Sequence, residues 1–237
     1  MVDKGEGERP GSHHYRAFVG PPKDYDLLGG LQLSLLLALG LREHHTVCDV
    51  GCGSLRVGRM LLSYLEPGRY FGLEPEEWVV RAAIEEELGD DFVARRRPTF
   101  RHTADYAVGG FDARFDYVLA QSILSHTYAD DAATLLTQIS AGLEPSGLLV
   151  ATFYPSRPSS KNPLPRGADN SGWRYPGNVA YEWTEMQEMA AAAGLRATLL
   201  DWPHPRQQWF LAARVDGEVD VARRAGSVRS PHVVGAD

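Results

Sequence analysis

Two glycines and a glutamate are spaced in the sequence as the polar contacts of a nucleoside would require. An apolar strand predicted at 47–50 runs into Gly51 and Gly53, and Glu74 ends a second predicted strand 21 residues after Gly53. The glycines allow a sharp turn with accessible N–H groups, and the helix that follows directs its dipole to the same place. A carboxylate at the end of the second strand can accept hydrogen bonds from both ribose hydroxyls. The unit therefore predicts a site for a nucleoside-containing cofactor.

A dinucleotide is the first cofactor class to consider for such a unit. Its site has the pattern Gly-x-Gly-x-x-Gly, with an acidic residue about 20 positions further on. Here Arg56 stands where the third glycine is required, which disfavours close packing of a helix against a pyrophosphate. NAD is therefore the weaker interpretation.

The run Val-Cys-Asp-Val-Gly-Cys-Gly at 47–53 resembles the first motif of the class I S-adenosylmethionine (SAM) dependent methyltransferases. That motif has the form apolar-apolar-Asp-apolar-Gly-Cys-Gly, and many members have a further glycine where this chain has Leu55. Residues 115–118 resemble the motif of the family's fourth strand, and residues 143–149 resemble its turn into the fifth. The resemblance spans about 25–215 and implies a Rossmann-like methyltransferase fold with SAM as cofactor.

Predicted strands and helices alternate as a doubly wound α/β sheet requires. The last two strands are joined by a short link at 203–206, which indicates an antiparallel closing hairpin. We therefore expect a mostly parallel seven-stranded sheet with one antiparallel strand. The predicted strands are 47–50, 70–73, 99–103, 115–120, 147–153, 195–202 and 207–215. The predicted helices are 27–41, 55–65, 78–88, 131–142 and 184–193, the last opened by a capping box of Thr184 and Gln187.

One domain is expected at 25–215, with an N-terminal tail or cap at 1–24 and a C-terminal tail at 216–237. The first 12 residues are charged and glycine-rich, and the C-terminal segment lacks sustained periodicity, so mobile ends are expected. Prolines, glycines, aromatic and basic residues fill 154–183, and a loop this long inside a domain is usually functional. It is predicted to be a lid over the acceptor site, with surface packing as the alternative.

Composition restricts the partners of the chain. Its 237 residues have a formal net charge of -7, which argues against nucleic-acid binding because that binding depends on basic patches. Two cysteines form no disulfide framework and are expected to pack in a reducing compartment, the cytoplasm. No apolar stretch reaches the ~20 residues of a membrane-spanning helix, and no His or Cys cluster has zinc spacing. A small-molecule partner is therefore expected, without nucleic acid, membrane or metal.

The resemblance implies roles for residues near the strand ends. Backbone N–H groups at 51–53 would face the methionyl part of SAM, Glu74 the ribose hydroxyls and Pro75 the adenine. Asp49 is expected to orient the glycine loop or to meet the ligand amine indirectly. Asp105 matches the family's acid that binds the adenine amine, with a solvated loop acid as the alternative. The predicted cofactor-binding residues are Asp49, Gly51, Cys52, Gly53, Glu74, Pro75, Asp105, Gln121 and Ser122.

Methyl transfer is an in-line displacement at a sulfonium, so catalysis depends mainly on positioning and on excluding water. A hydroxyl acceptor needs a general base, whereas a thiolate does not. His126, five residues after Gln121, is the candidate base, and packing or a backbone hydrogen bond is the alternative. Tyr154, Trp173 and Tyr175 are expected to contact the acceptor. Aromatic and basic residues in the lid indicate a planar or apolar acceptor that carries a carboxylate or phosphate.

Three functions remain open from the sequence. The predicted one is transfer of a methyl group from SAM to an O, N, S or C atom of a small molecule. A nicotinamide-dependent oxidoreductase would instead bind NAD. A catalytically silent structural subunit would bind SAM and turn over no acceptor.

Overall fold

The computed structural model describes residues 3–156 and 177–228. The strands are β1 Val47–Val50, β2 Tyr70–Leu73, β3 Thr99–Arg101, β4 Phe115–Ala120, β5 Leu143–Pro155, β6 Ala180–Tyr181, β7 Leu195–Leu200 and β8 Gln208–Arg214. The α-helices are α1 Tyr15–Phe18, α2 Tyr25–Ala38, α3 Gly58–Tyr64, α4 Glu77–Ala83, α5 Asp90–Arg96, α6 Ala129–Gly142, α7 Trp183–Ala192 and α8 Val221–Gly226. Short 3-10 segments lie at Pro22–Asp24, Val108–Phe111 and Leu124–His126, and a π-helical turn lies at Ile84–Leu88.

Seven strands form one sheet in the order β3-β2-β1-β4-β5-β8-β7. The first five pair in parallel, whereas β8 is antiparallel to both β5 and β7. The predicted doubly wound, mostly parallel seven-stranded sheet with one antiparallel strand is confirmed. The two-residue β6, which pairs in parallel with β5, is an addition that the sequence analysis missed. Strand order reverses between β1 and β4, and the carboxyl ends at this switch point form the crevice where such sheets bind ligands.

Two apolar clusters cover opposite faces of the sheet. In β4, Tyr117 and Leu119 belong to one cluster and Val118 and Ala120 to the other, as alternation along a strand requires. The first cluster includes apolar side chains of α2, α3 and α4, and the second includes those of α6 and α7. Because strands buried on both faces need apolar residues at every position, β1 and β4 are nearly continuous apolar runs. Among the described helices, none combines the length and the apolar character needed to cross a bilayer.

Segments near both ends of the described chain pack against its core. Near the N-terminus, Arg16 is buried and its guanidinium bonds the Glu87 carboxylate, with 2.8 Å between Nε and Oε1. Near the C-terminus, Val221 on α8 is buried in the first cluster, and the Asp220 side chain caps α8. These segments are short and join the core through contacts distant in sequence, so they show no local periodicity. Residues 229–237 lie outside the described chain.

Several helix boundaries also differ from the prediction. Helix α3 begins at Gly58 rather than at Leu55, which has a positive φ of 56° and belongs to the preceding loop. The helix predicted at 78–88 is α4 followed by the π-helical turn, and it ends at Gly89, as expected. Helix α5 begins at Asp90, directly after this glycine, and the sequence analysis missed it.

Helix α7 begins one residue before the predicted Thr184. Its capping box is formed by Glu182 and Glu185, and the Glu182 N–H donates to Oε2 of Glu185 at 2.7 Å. The predicted capping box at Thr184 and Gln187 is therefore wrong by two residues. Glutamate is an uncommon N-cap, so the threonine gave the stronger local signal.

Candidate active site

A cavity of about 630 Å³ opens at the carboxyl ends of β1, β2 and β4. This volume lies within the range of about 300–1,000 Å³ that is common for small-molecule sites. Eight of the nine predicted cofactor residues line it, and His126 lines it too. Asp105 is the exception. The topological switch point therefore brings together residues that are far apart in sequence.

The glycine loop after β1 requires glycine at both positions. Gly51 and Gly53 have φ values of 66° and 50°, which disfavour side chains. A Cβ atom at Gly51 would lie 2.0 Å from Cδ1 of Ile123, and one at Gly53 would lie 2.5 Å from Cγ1 of Val19. Space and backbone conformation therefore both favour glycine at these positions.

The N–H groups of the glycine loop are bonded within the protein. Those of Gly51 and Cys52 donate to the Leu73 carbonyl at 2.7 and 3.1 Å. That of Gly53 donates to Oε2 of Glu74 at 2.9 Å. The prediction that these groups face the ligand is therefore not met, because they tie the loop to the end of β2.

Glu74 joins the glycine loop to the start of α4. The residue is 7% exposed, and its Oε1 accepts from the Glu76 N–H at 3.0 Å while Oε2 accepts from Gly53. Burial raises the pKa of the Glu74 carboxyl, and the two backbone donors oppose that rise. Each carboxylate oxygen can accept a second hydrogen bond, so the side chain can still bind ligand hydroxyls at the cavity.

Asp49 is a buried acid beneath the glycine loop. It is 4% exposed, and the Tyr70 hydroxyl donates to its Oδ2 at 2.8 Å. Burial raises the pKa of Asp49 to about 7, and the nearby Glu74 charge acts in the same direction. The Tyr70 hydrogen bond and the Arg56 charge oppose the rise. Asp49 can therefore exchange a proton near neutral pH.

The end of β4 forms a polar wall of the cavity. The Gln121 side-chain oxygen accepts from the Arg56 guanidinium, and its Nε2 donates to Ser122 Oγ at 2.7 Å. Ser122 has a φ of 64°, and its N–H donates to Thr152 Oγ1 at 2.8 Å. Gln207 also donates to Ser122 Oγ, at 2.9 Å. The wall is thus held by β5 and by the residue that precedes β8.

His126 ends the 3-10 segment that follows β4, and it is buried at the cavity. Its Nδ1 contacts the carbonyl oxygen of Gly177. A carbonyl can only accept, so Nδ1 carries the proton and the lone pair of the neutral ring is on Nε2. The backbone hydrogen bond named as the alternative role is thus present, and it also orients the ring.

Other predicted residues lie away from the cavity or outside the described chain. Asp105 is exposed, and its Oδ1 accepts from the Ala107 N–H at 3.0 Å, the largest of several contacts that lower its pKa. Aspartate often makes this hydrogen bond to the backbone in a turn. Both sequence neighbours of Asp105 line the cavity, but Asp105 does not. Tyr154 is half-buried, pairs with Ala180 and does not line the cavity. Trp173 and Tyr175, with most of the predicted lid, lie outside the described residues.

The sequence analysis missed several residues that line the cavity. Phe18 and Val19, from the predicted tail, form part of its wall. Gln32 on α2 and Arg56 after the glycine loop are buried there, and Asp131 on α6 also lines it. Among these residues, only Gln32 gave a local signal in the sequence, because a glutamine stands out inside an apolar helix.

Comparison with known proteins agrees with this geometry. A family model described as "Methyltransferase domain" matches residues 48–149, which include the glycine loop, Glu74 and the end of β4. The structure of magnesium protoporphyrin IX methyltransferase from Synechocystis PCC 6803, with bound SAH (S-adenosylhomocysteine), matches with a TM-score of 0.59 and 16% identity. That match covers 84% of this chain and 92% of the Synechocystis chain.

Two further solved structures have the same fold. The CcbJ methyltransferase from Streptomyces caelestis matches with a TM-score of 0.60 and 16% identity, over 82% of this chain and 91% of that one. An S-adenosylmethionine-dependent methyltransferase from Clostridium acetobutylicum matches with a TM-score of 0.59 and 11% identity, over 81% of this chain and 92% of that one. The predicted resemblance is confirmed: residues 48–149 match the model of a methyltransferase domain, and the chain has the fold of these solved methyltransferases.

Proposed function

We propose that the protein transfers a methyl group from SAM to a nucleophilic atom of a small molecule. The observation that supports this most is the internal bonding of the glycine loop, whose N–H groups donate to the Leu73 carbonyl and to Glu74. A pyrophosphate needs open N–H donors, whereas the Gly53 N–H already donates to Glu74. SAM carries no phosphate and has a cationic sulfonium, so the same loop suits it. This favours SAM over NAD.

The cofactor roles follow from the order of the strands. Glu74, at the end of β2, accepts hydrogen bonds from the ribose hydroxyls. Pro75 and Tyr106 border the adenine, since both line the cavity on the side of β2 and β3. Asp105 does not line the cavity but both of its sequence neighbours do, so we expect its contact with the adenine amine to form when the ligand binds.

The chain contributes positioning and one candidate base to the reaction. When bound, SAM supplies an electrophilic methyl carbon, and the bond from this carbon to sulfur breaks as the acceptor attacks. His126 can take the acceptor's proton at Nε2, because the Gly177 carbonyl keeps the ring proton on Nδ1. Buried apolar side chains in the cavity wall, such as Val50 and Ile123, would reduce the amount of water around the charged sulfur.

A small metabolite is the acceptor class that the chain favours. The net charge of -7 is unsuited to a nucleic acid, and the cavity has the size of a small-molecule site. Cys48 and Cys52 are free and buried, which supports a reducing compartment such as the cytoplasm. Tyr154, Trp173 and Tyr175 remain proposed acceptor contacts.

Titration calorimetry with SAH and, separately, with NAD tests the cofactor assignment. We expect micromolar SAH binding and no NAD binding. Glu74→Ala should weaken SAH binding by about 1.5–3 kcal/mol, the range for hydrogen bonds to a charged group. Glu77→Ala is the matched control, because this exposed glutamate in the first turn of α4 does not line the cavity. NAD binding alone, or binding of neither ligand, would contradict the assignment.

Turnover separates an enzyme from a silent subunit. The purified chain is incubated with SAM and a panel of small acceptors, and SAH release is measured. An active enzyme releases SAH only with particular acceptors, whereas a silent subunit binds SAH in the calorimeter and releases none with any acceptor.

A further inference from the structure

Residues 13–19 form a strap along one wall of the cavity. The strap contains the short helix α1, and its last two residues, Phe18 and Val19, line the cavity. The Val19 carbonyl accepts from the Arg56 guanidinium at 3.1 Å. A Cβ atom at Gly53 would lie 2.5 Å from Cγ1 of Val19, so the end of the strap lies directly on the glycine loop. A ligand at that loop would therefore be bordered by the strap.

A ring of four charged side chains holds the strap in place. On Glu87, Oε1 accepts from Nε of Arg16 at 2.8 Å, and Oε2 lies 3.3 Å from Arg59. Asp26 lies 3.4 Å from Arg16 and also contacts Arg59, so positive and negative charges alternate around the ring. The Arg16 and Glu87 side chains are 5% and 8% exposed. Because this pair is buried, salt screens it weakly, and loss of one partner would leave the other uncompensated.

Tyr25 connects the charged ring to the glycine loop. The guanidinium carbons of Arg16 and Arg59 lie 4.6 and 5.2 Å from the centre of the Tyr25 ring. The Tyr25 hydroxyl donates to the Ser54 carbonyl at 2.6 Å, and Ser54 directly follows Gly53. None of the four charged side chains lines the cavity. Any effect of these charges on a ligand would therefore act through the strap or the loop.

The π-helical turn at Ile84–Leu88 directs Glu87 towards the strap. Three glutamates follow one another in this turn, and Glu85 and Glu86 are exposed whereas the Glu87 side chain is buried. Single π-helical turns are rare and occur often at functional sites. Glu86 therefore provides a neighbouring charge that differs from Glu87 by its exposure to solvent.

The strap has a possible hinge at one end and an aromatic contact at the other. Gly20, which follows Val19, has a φ of 131°. Glycine tolerates a large change of backbone dihedral, so the chain can turn at this position. At the other end, His13 packs on Trp78 of α4, with 4.1 Å between the ring centres. Neither His13 nor Trp78 lines the cavity.

We propose that the strap closes over the bound cofactor, and that Glu87 is a positioning residue that holds it closed through Arg16. Rotation about Gly20 would remove Phe18 and Val19 from the cavity wall and give the cofactor a route of entry and release. Cofactor binding and closure are then linked, so weakening the closed strap weakens binding by the same factor. The proposal rests on the proposed function, because it requires a cofactor in this cavity.

Glu87→Gln tests the charged ring with little change in shape. The amide oxygen can still accept from Arg16, but the negative charge is lost. Radiolabelled SAH is bound to the whole chain, and its release is followed after addition of excess unlabelled SAH. We expect release to be faster than in the wild type by roughly 5- to 150-fold, the usual range of coupling between sites. Glu86→Gln removes the same charge from the exposed neighbour and should release SAH at the wild-type rate.

His13→Ala tests the strap without disturbing a buried charge. His13 is exposed, so the variant should fold as the wild type does, yet its closed strap loses the contact with Trp78. SAH release should again be faster, although by a smaller factor than in Glu87→Gln. His44→Ala is the matched control, because His44 is also exposed and packs on another ring, that of His45, before β1. This control should release SAH at the wild-type rate.

Hydrogen exchange and thermal unfolding separate closure of the strap from a general loss of stability. SAH should slow amide exchange at 14–20 in the wild type, and should do so less in Glu87→Gln and His13→Ala. If Glu87→Gln unfolds at a lower temperature than the wild type, the result for His13→Ala decides.

The outcomes also distinguish this proposal from the proposed function. Faster release in His13→Ala, with an unchanged unfolding temperature and slower exchange at 14–20 on SAH binding, supports the strap. A wild-type rate in His13→Ala, or exchange at 14–20 that SAH leaves unchanged, overturns the strap while leaving SAM as the cofactor. A wild type that binds no SAH overturns both proposals.

Discussion

Replacing Asp49 with asparagine tests whether burial keeps this carboxyl protonated near neutral pH. Tyr70 donates to Asp49 Oδ2 at 2.8 Å, and the residue is buried in β1 beneath the glycine loop. Burial raises its pKa to about 7, in spite of the Tyr70 hydrogen bond and the Arg56 charge. Asparagine has almost the same shape and can accept the Tyr70 hydrogen bond, so Asp49→Asn removes the charge and little else.

The sign and size of the effect follow from the shift in pKa. An aspartate in the unfolded chain has a pKa of about 3.9. Between about pH 3.9 and about pH 7, the folded state binds more protons than the unfolded state, so the free energy of unfolding falls as pH rises. Below about pH 4 the carboxyl is protonated in both states and the penalty is absent. Above about pH 7 the full penalty of about 4 kcal/mol applies, from about 3 pKa units at 1.36 kcal/mol each.

Urea unfolding of the wild type and of Asp49→Asn at several pH values measures this penalty. We expect the free energy of unfolding of the variant, compared with that of the wild type, to be about 3 kcal/mol more favourable near pH 8 than near pH 4.5, because about 1 kcal/mol of the penalty is already present at pH 4.5. Both proteins share every other titrating group, so the change in the difference isolates Asp49. A difference that stays constant over this range would refute the buried, protonated carboxyl.

Two further substitutions test the glycine loop and the candidate base. Gly51→Ala should destabilise the protein and weaken SAH binding, because the Ile123 side chain, which lines the cavity, must shift to admit the new Cβ atom. Gly68→Ala has a φ of 85° and open space around its Cβ atom, so it should show only the ~1–2 kcal/mol of backbone strain in urea unfolding. Equal losses in the two variants would contradict the steric argument. His126→Asn, whose amide can still donate to the Gly177 carbonyl, should lower turnover of a hydroxyl acceptor by roughly 10²- to 10⁴-fold while SAH affinity stays unchanged. Unchanged turnover would exclude His126 as the base, and weakened SAH binding would indicate a structural role.

The sequence by itself determined the sheet and the residues that line the main cavity at its switch point. Short apolar strands alternate with helices, and backbone geometry permits few ways of connecting them. Gly51 and Gly53 were identifiable because a sharp turn with positive φ favours glycine whatever surrounds it. Glu74 was identifiable because a strand end places its side chain at the crevice. These signals are local, so the sequence contains them directly.

Only the tertiary structure decided which polar groups face the cavity and which are already bonded. The loop N–H groups, expected to meet the ligand, donate to Leu73 and Glu74, since β2 runs beside β1. Arg56 is directed into the cavity by Val19 and Gln121, which are 37 and 65 positions away in sequence. Such contacts depend on how distant segments pack, and no local pattern of residue types contains that information.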